Sequence, residues 1–220
     1  MDRDSSAAPE AGECLSGEQL LAWRRHMLAI EGQAPADPAD LDWLLDLVGG
    51  LGGARRQALW LHPERSVLLE RSLETIADLW RCHRATDAPL QYLVGRCPWR
   101  DLELTVGPGV LIPRQETELL VDLALERLAA SPLPPGLCWA DLGTGSGALA
   151  IALARALPGS SGLAVDTSEQ ALAIAALNRQ RLLPVDRDPP LRLLQGHWWQ
   201  PLQPWWGRLQ LVVSNPPYIP

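Results

Sequence analysis

Lysine is absent from this chain, and all 19 basic residues are arginine. Phenylalanine is also absent, and tyrosine and methionine occur twice each, whereas there are 10 tryptophans. We read these extremes as coding bias more than chemistry. Positive charge is short overall. The net charge of -7 argues against a duplex-DNA partner, because neutralising phosphates needs a basic surface. It leaves a basic protein or an RNA-bound partner open. Cysteine is sparse, and Cys14, Cys82, Cys97 and Cys138 form no close C-x-x-C pair. That spacing speaks against a zinc site, so no metal is expected, and it fits reduced thiols used as small apolar residues. No apolar stretch approaches the roughly 18 residues that a membrane-spanning helix needs. Up to Gly12 the chain is acidic and polar, with no apolar run behind a basic start as in a signal peptide. The expectation is a cytoplasmic protein without membrane contact.

What is present fits a folded globular chain. At 220 residues, 47% hydrophobic and 20% charged, it can bury a core in one or two domains. Residues 1–14 read as a disordered tail, being small, acidic and Pro/Ser-containing. Ser16 and Gln19 have capping-box spacing, and Leu20, Leu21, Trp23, Met27, Leu28 and Ile30 follow as an apolar stripe. Asp37-Pro38 starts a second helix with a cap residue and a proline at the first helical position, and Gly49-Gly50 ends it. A short piece spans 54–61. From Pro63 a long helix is expected to about Arg84, with Val67, Leu68, Ser72, Ile76 and Leu79 along one side. Residues 15–88 thus read as a small helical bundle in which His26, His62 and His83 are scattered. Residues 89–114 read as a linker with a β-hairpin, one strand over 99–106, a turn at Gly107-Pro108-Gly109 and a second strand over 110–113. Arg114-Gln115-Glu116-Thr117-Glu118 then leads into an apolar helix with Leu119, Leu120, Leu123 and Leu128, broken by the segment 131–136.

From Leu137 the pattern alternates. Strands are expected over 137–142, 162–166, 191–195 and 209–214, with helices over 148–157 and 168–179, the latter capped by Ser168. Such βα repeats make a parallel, doubly wound sheet whose ligands lie at the strands' carboxyl ends. The loop Asp141-Leu142-Gly143-Thr144-Gly145-Ser146-Gly147 follows the first strand. Its glycines allow a sharp turn and a bare backbone against a ligand. Gly143, Gly145 and Ala148 also match the dinucleotide fingerprint G-x-G-x-x-G/A, so a nicotinamide cofactor competes. Asp166, ending the second strand, suits the ribose hydroxyls of either cofactor. Asp141 favours S-adenosylmethionine, because an acid there meets a pyrophosphate badly and a sulfonium with its amino-acid tail well.

Asn215-Pro216-Pro217-Tyr218 follows the fourth strand. An amide nitrogen is a poor nucleophile because its lone pair is delocalised. Acceptors for both its N–H groups would orient it and favour the charge that develops as it attacks. The Asn215 side-chain carbonyl and the Pro216 backbone carbonyl are such acceptors. The Pro-Pro pair limits their freedom, and Tyr218 offers a flat stacking face. Methyl transfer to a planar nitrogen is the function expected.

The segments Pro89-Leu90-Gln91-Tyr92-Leu93-Val94-Gly95, Leu111-Ile112-Pro113-Arg114-Gln115-Glu116-Thr117-Glu118, the glycine loop and Asn215–Tyr218 together resemble the HemK/PrmC family. These are protein-(glutamine-N5) methyltransferases acting on the Gly-Gly-Gln glutamine of class 1 peptide chain release factors. The resemblance runs from about residue 15 onward. It implies a Rossmann-like class I S-adenosylmethionine-dependent methyltransferase domain over 115–220, with an incomplete sheet, behind a helical domain at 15–88 that grips the release factor. Carried over by position, Asp141, Leu142, Gly143, Thr144 and Gly145 contact the cofactor, Asp166 holds the ribose, and Trp198 lies near the adenine. Asn215 lies at the methyl-transfer end, and Asn215, Pro216, Pro217 and Tyr218 hold the substrate glutamine. Gln115 stands where the family has proline, and His197 where it has an acid. The family's sheet is larger than the four strands counted here, so the fourth strand is expected to be an exposed apolar edge (Leu209, Leu211, Val212, Val213). Three alternatives accompany this reading: methylation of a ribosomal-protein glutamine, adenine-N6 methylation of DNA, and an inactive truncated fragment. Trp199, Trp205 and Trp206 are expected to serve packing or the surface.

Overall fold

A computed structural model describes residues 12–32, 35–130 and 136–216. The tail up to residue 11, most of the helix breaker at 131–136, and Pro217 and Tyr218 lie outside the described residues. The chain divides into two compact units, one up to Val94 and one from Gly95.

The first unit contains β1 (Glu13–Ser16), α1 (Gly17–Leu28), α2 (Pro38–Leu47), α3 (Gly53–Leu61), β2 (Ser66–Leu69), α4 (Leu73–Thr86) and the short α5 (Leu90–Val94). Ser16 and Gln19 close the capping box, each side chain bonded to the other's backbone N–H. Asp37 caps α2 through the Ala39 amide, and Pro38 stands at its start. Leu20, Leu41, Leu44, Leu45, Leu51, Leu69, Ile76 and Trp80 form the fully buried centre. The Trp80 indole donates to Met27 O at 2.9 Å, which satisfies its one polar atom inside the core.

Two expectations are corrected here. Glu13 and Cys14 belong to no tail, because β1 pairs antiparallel with β2, from Glu13↔Leu69 to Ser16↔Ser66. The long helix from Pro63 is instead strand, turn and helix. Ser72 is its N-cap, accepting from Thr75 N at 3.2 Å, so the helix cannot grow backward through it. Ahead of it, Val67 and Leu69 are buried while Ser66 and Leu68 are exposed, the alternation of a strand with one face covered.

The second unit opens with the antiparallel hairpin of β3 (Arg96–Trp99) and β4 (Leu102–Thr105). Its turn is Arg100-Asp101, and residues 110–113 form no strand, which corrects the expected hairpin. Arg100 takes a left-handed φ of 52° and is held there by α6 (Glu118–Ala129). Its amide donates to the Glu118 carboxylate at 3.1 Å, and its guanidinium reaches Glu118 O at 3.0 Å and Asp122 at 2.9 Å. A turn fixed by contacts this distant carries no local Asn-Gly signal. In α6 the buried residues are Val121 and Ala124, whereas Leu119 and Leu123 of the expected stripe are exposed.

Then come β5 (Cys138–Leu142), α7 (Ala148–Ala156), β6 (Ser161–Asp166), α8 (Glu169–Leu182), β7 (Arg192–Gln195) and β8 (Leu211–Ser214). All pair in parallel in the order β7-β6-β5-β8. This is the parallel, doubly wound arrangement expected, with four strands among the described residues. β5 is buried along its whole length and packs Trp139 with its indole on Ser160 Oγ at 2.8 Å. Gly162 is glycine for space, since a Cβ there would lie 2.5 Å from the Trp139 ring. β8 is an edge strand with Val212 exposed and Val213 buried. From β5 the chain steps through β6 to β7 and then crosses to β8 on the other side of β5. The crevice at the carboxyl ends of β5 and β8 is therefore the switch point where such sheets hold ligands.

Candidate active site

The glycine loop leaves the end of β5 into that crevice. Gly143 N and Thr144 N both donate to Val165 O at 2.9 Å, which folds the loop toward β6. Gly143 and Gly145 have φ of 73° and 55°, a region that side chains rarely adopt. Asp166, ending β6, accepts from Gly145 N at 2.8 Å and from Ser168 N at 3.0 Å. One carboxylate thus ties the loop to the start of α8, and it keeps further lone pairs for other donors.

Asp141 has no exposed surface. Its Oδ2 accepts from the Thr144 hydroxyl at 2.6 Å, while its Oδ1 is buried without a hydrogen-bond partner. Burial pushes this carboxyl up to about 7; the Thr144 hydroxyl and the Ala150 amide pull the other way, and the Asp166 carboxylate adds to the rise. A buried acid half-relieved of its charge is one that a nearby cation would turn back into a carboxylate.

A cavity of about 370 Å³ lies against the loop, within the roughly 300–1,000 Å³ of small-molecule sites. Gly143, Gly145, Asp166, Trp198, Asn215 and Pro216 line it, so six of the expected site residues converge there. His197 lines it too. Asp141, Leu142 and Thr144 do not; their side chains are buried. Pro217 and Tyr218 lie outside the described residues. Trp199 and Trp206 are exposed, and Trp205 packs against the cluster around Leu202.

The sequence reading missed one wall, made by Gly109, Val110 and Leu111, with Thr167, Ala171 and Gly196. The segment at 109–111 is carried there by α8, where Gln170 donates to Pro108 O at 2.7 Å. Deeper in, Asn178 is fully buried. It accepts from Thr105 N and donates to Thr105 O and Ser146 O at 2.7–2.9 Å, which joins hairpin, α8 and glycine loop. The only available signal was a glycine pair and a buried-helix asparagine, neither diagnostic without the fold.

At the other end of the crevice, Ser214 Oγ donates to Leu142 O at 2.8 Å and fixes the end of β8 to the end of β5. Asn215 Nδ2 donates to Thr117 Oγ1 at 2.9 Å. Among the described residues no group of three or more His, Cys, Asp or Glu could hold a metal, and no helix is long and apolar enough to cross a membrane.

Comparison with known proteins settles the family. A family model described as a methyltransferase small domain matches residues 119–219. The release factor glutamine methyltransferase of Prochlorococcus marinus is 50% identical over 93% of this chain and 67% of its own length. Those of Gloeobacter violaceus and Thermosynechococcus vestitus are 43% and 45% identical, over 90% and 94% of this chain and 65% and 69% of theirs. This chain belongs to the release factor glutamine methyltransferase family. It spans about two thirds of the length of these family members. Among solved structures, a SAM-dependent methyltransferase from Agrobacterium tumefaciens overlays 56% of this chain and 39% of its own, at 16% identity and a TM-score of 0.45.

Proposed function

We propose that this chain binds S-adenosylmethionine in the crevice and transfers its methyl group to the side-chain nitrogen of the Gly-Gly-Gln glutamine of class 1 release factors. The observation that carries the reading is convergence: a glycine loop, the β6 acid and Asn215-Pro216 share one cavity at the sheet's switch point.

The residues present suit the cofactor. The bare backbone of Gly143 and Gly145 admits close approach, Asp166 has capacity left for ribose hydroxyls, and Trp198 offers a flat face for the adenine. The unpartnered Oδ1 of Asp141, the residue that opens the loop, would favour the positively charged amino-acid end. When bound, the cofactor supplies an electrophilic methyl group on sulfur. The Asn215 side-chain carbonyl and the Pro216 backbone carbonyl would then accept the two amide N–H groups of the glutamine. These contacts would orient the nitrogen for methyl transfer, in which a C–N bond would form as the S–CH₃ bond breaks, with the electron pair left on sulfur and one proton released from the nitrogen to solvent.

The residues of 15–88 are assigned to gripping the release factor, those of 115–220 to chemistry, and the setting is the cytoplasm. The test is calorimetric titration of the 220-residue chain with S-adenosylmethionine, with NADH as control, followed by incubation with release factor and peptide mapping. Saturable binding of the first ligand alone and a methyl group on Gly-Gly-Gln are expected. Binding of NADH instead, or a methyl group at any other position, overturns the reading.

A further inference from the structure

We infer that another cavity, at the end of the sheet opposite the crevice, binds a phosphate group. The inference does not depend on the methyl transfer proposed above.

This cavity holds about 330 Å³, and Ser161, Pro190, Arg192, Pro204, Trp205 and Arg208 are among its walls. Ser161 and Arg192 begin β6 and β7, so it lies at the amino ends of strands whose carboxyl ends face the crevice. Among the described residues no carboxylate lines it. Arg100, Arg155 and Arg181 of the same unit each pair with an acid, Asp122, Asp101 and Glu103. Arg192 and Arg208 have no such partner among the described residues, although the chain carries a net charge of -7. Their charges act on one spot: burial pushes the Cys138 thiol up, and Arg208 and Arg192 both pull it down. Two like charges held at one cavity are relieved by an anion between them.

Both guanidinium groups are positioned by Trp205, which packs on the cluster around Leu202. Arg192 lies over its ring, 5.8 Å from the centroid. Arg208 is brought to the same tryptophan by a type II turn. Its amide donates to Trp205 O at 3.0 Å, Trp206 has φ -57° and ψ 136°, and Gly207 takes φ 73°. A Cβ on Gly207 would meet nothing within 4 Å, so the glycine serves the turn and not the space.

The chemistry selects phosphate over carboxylate. A guanidinium presents parallel N–H donors, and one such fork satisfies both oxygens of a carboxylate. Two forks suit a tetrahedral group with three free oxygens and up to two charges, and the Ser161 hydroxyl can add a donor. The cavity has room beyond a phosphate, with Pro190 and Pro204 as apolar wall, so the ligand class is a small phosphate monoester.

The test titrates the 220-residue chain with inorganic phosphate and with uridine 5′-monophosphate, using uridine and acetate as controls. The Nε–Hε signals of Arg192 and Arg208 in ¹⁵N-labelled protein report the site. Both should move saturably with either phosphate and stay still with uridine and acetate, and binding should weaken as salt rises. By calorimetry, Arg192→Gln and Arg208→Gln should each lower affinity for uridine 5′-monophosphate by about tenfold or more, the scale of one charge-assisted hydrogen bond. Arg155→Gln, outside the cavity, should stay within about twofold. If a Gln variant does not fold, the Lys variant at that position, which keeps the charge and loses the fork, should weaken binding in the same direction. Wild-type signals that stay still into the millimolar range overturn the inference. So do equal shifts with acetate, an equal loss in Arg155→Gln, or a response to inorganic phosphate without one to the monoester, which would mean an adventitious ion only.

Discussion

β5 and β8 run side by side, and each carries half of the candidate site, but they are held in different ways. β5 lies between β6 and β8, all its residues are buried, and its loop is folded by backbone bonds to Val165 and by the Asp166 carboxylate. Among the described residues β8 pairs with β5 alone and has an exposed Val212, and the contacts that hold its end include Ser214 to Leu142 O and Asn215 to Thr117. The cofactor half is therefore a product of the core, and the substrate half a product of a few long-range hydrogen bonds. The first should be preformed and costly to disturb. The second should be easier to loosen without unfolding the sheet.

The largest expected effect breaks the β5 side. Trp139→Ala empties a fully buried indole site between β5 and Gly162 and leaves the Ser160 hydroxyl without its indole partner. Large-to-small changes of this kind cost about 3–5 kcal/mol, a large share of the roughly 5–15 kcal/mol that stabilises a domain. Denaturant unfolding followed by circular dichroism should show it. A cost near 1 kcal/mol would mean that β5 is not the stronger half.

Asp141 sharpens the same contrast through pH. Its folded-state value of about 7 lies above the ordinary 3.8, so between those limits the folded chain holds a proton that the unfolded chain has released. Its contribution therefore makes stability fall as pH rises from about 4 to about 7 and level off above, the reverse of a salt-bridged aspartate, by on the order of a few kcal/mol. Asp141→Asn keeps the acceptor for Thr144 and removes the titration. Unfolding midpoints measured across pH should lose that slope in the variant, which should gain stability at pH 8 and lose affinity for S-adenosylmethionine. An unchanged slope would show that the carboxyl is ionised throughout and that core burial does not govern this half.

The same contrast explains what could be read from the sequence. The β5-to-α8 region was legible nearly residue by residue, because apolar strands, a glycine loop and the Ser168 cap are local signals. The caps at Ser16 and Asp37 were legible for the same reason. Ribbon β1–β2 was not: four-residue strands such as Ser66–Leu69 fit helical and strand periods alike, and their partners lie about 50 residues apart. The hairpin was misplaced because Arg100 owes its left-handed turn to Glu118 and Asp122. The site residues that escaped, Gly109–Leu111 and Thr117, reach the crevice only through tertiary contacts.

The smallest expected effect is the most direct test of how far the two halves are separate. Ser214→Ala removes one hydroxyl and its 2.8 Å bond to Leu142 O, and a net hydrogen bond is worth about 1 kcal/mol. Global stability should fall by that much or less. The four parallel pairs from Trp139↔Leu211 to Leu142↔Ser214 remain, so the strand should persist while its end loosens. Amide hydrogen exchange should then quicken over Leu211–Asn215 and stay unchanged over Cys138–Leu142 and Ser161–Asp166. Methyl transfer should drop more than cofactor affinity, because Asn215 hangs from the loosened end and the glycine loop does not. If exchange in β5 and β6 quickens equally, the edge strand and the core open as one unit. The substrate half would then be no more independent than the cofactor half, and the positioning of Asn215 would have to be credited to the whole sheet instead of to Ser214 and Thr117.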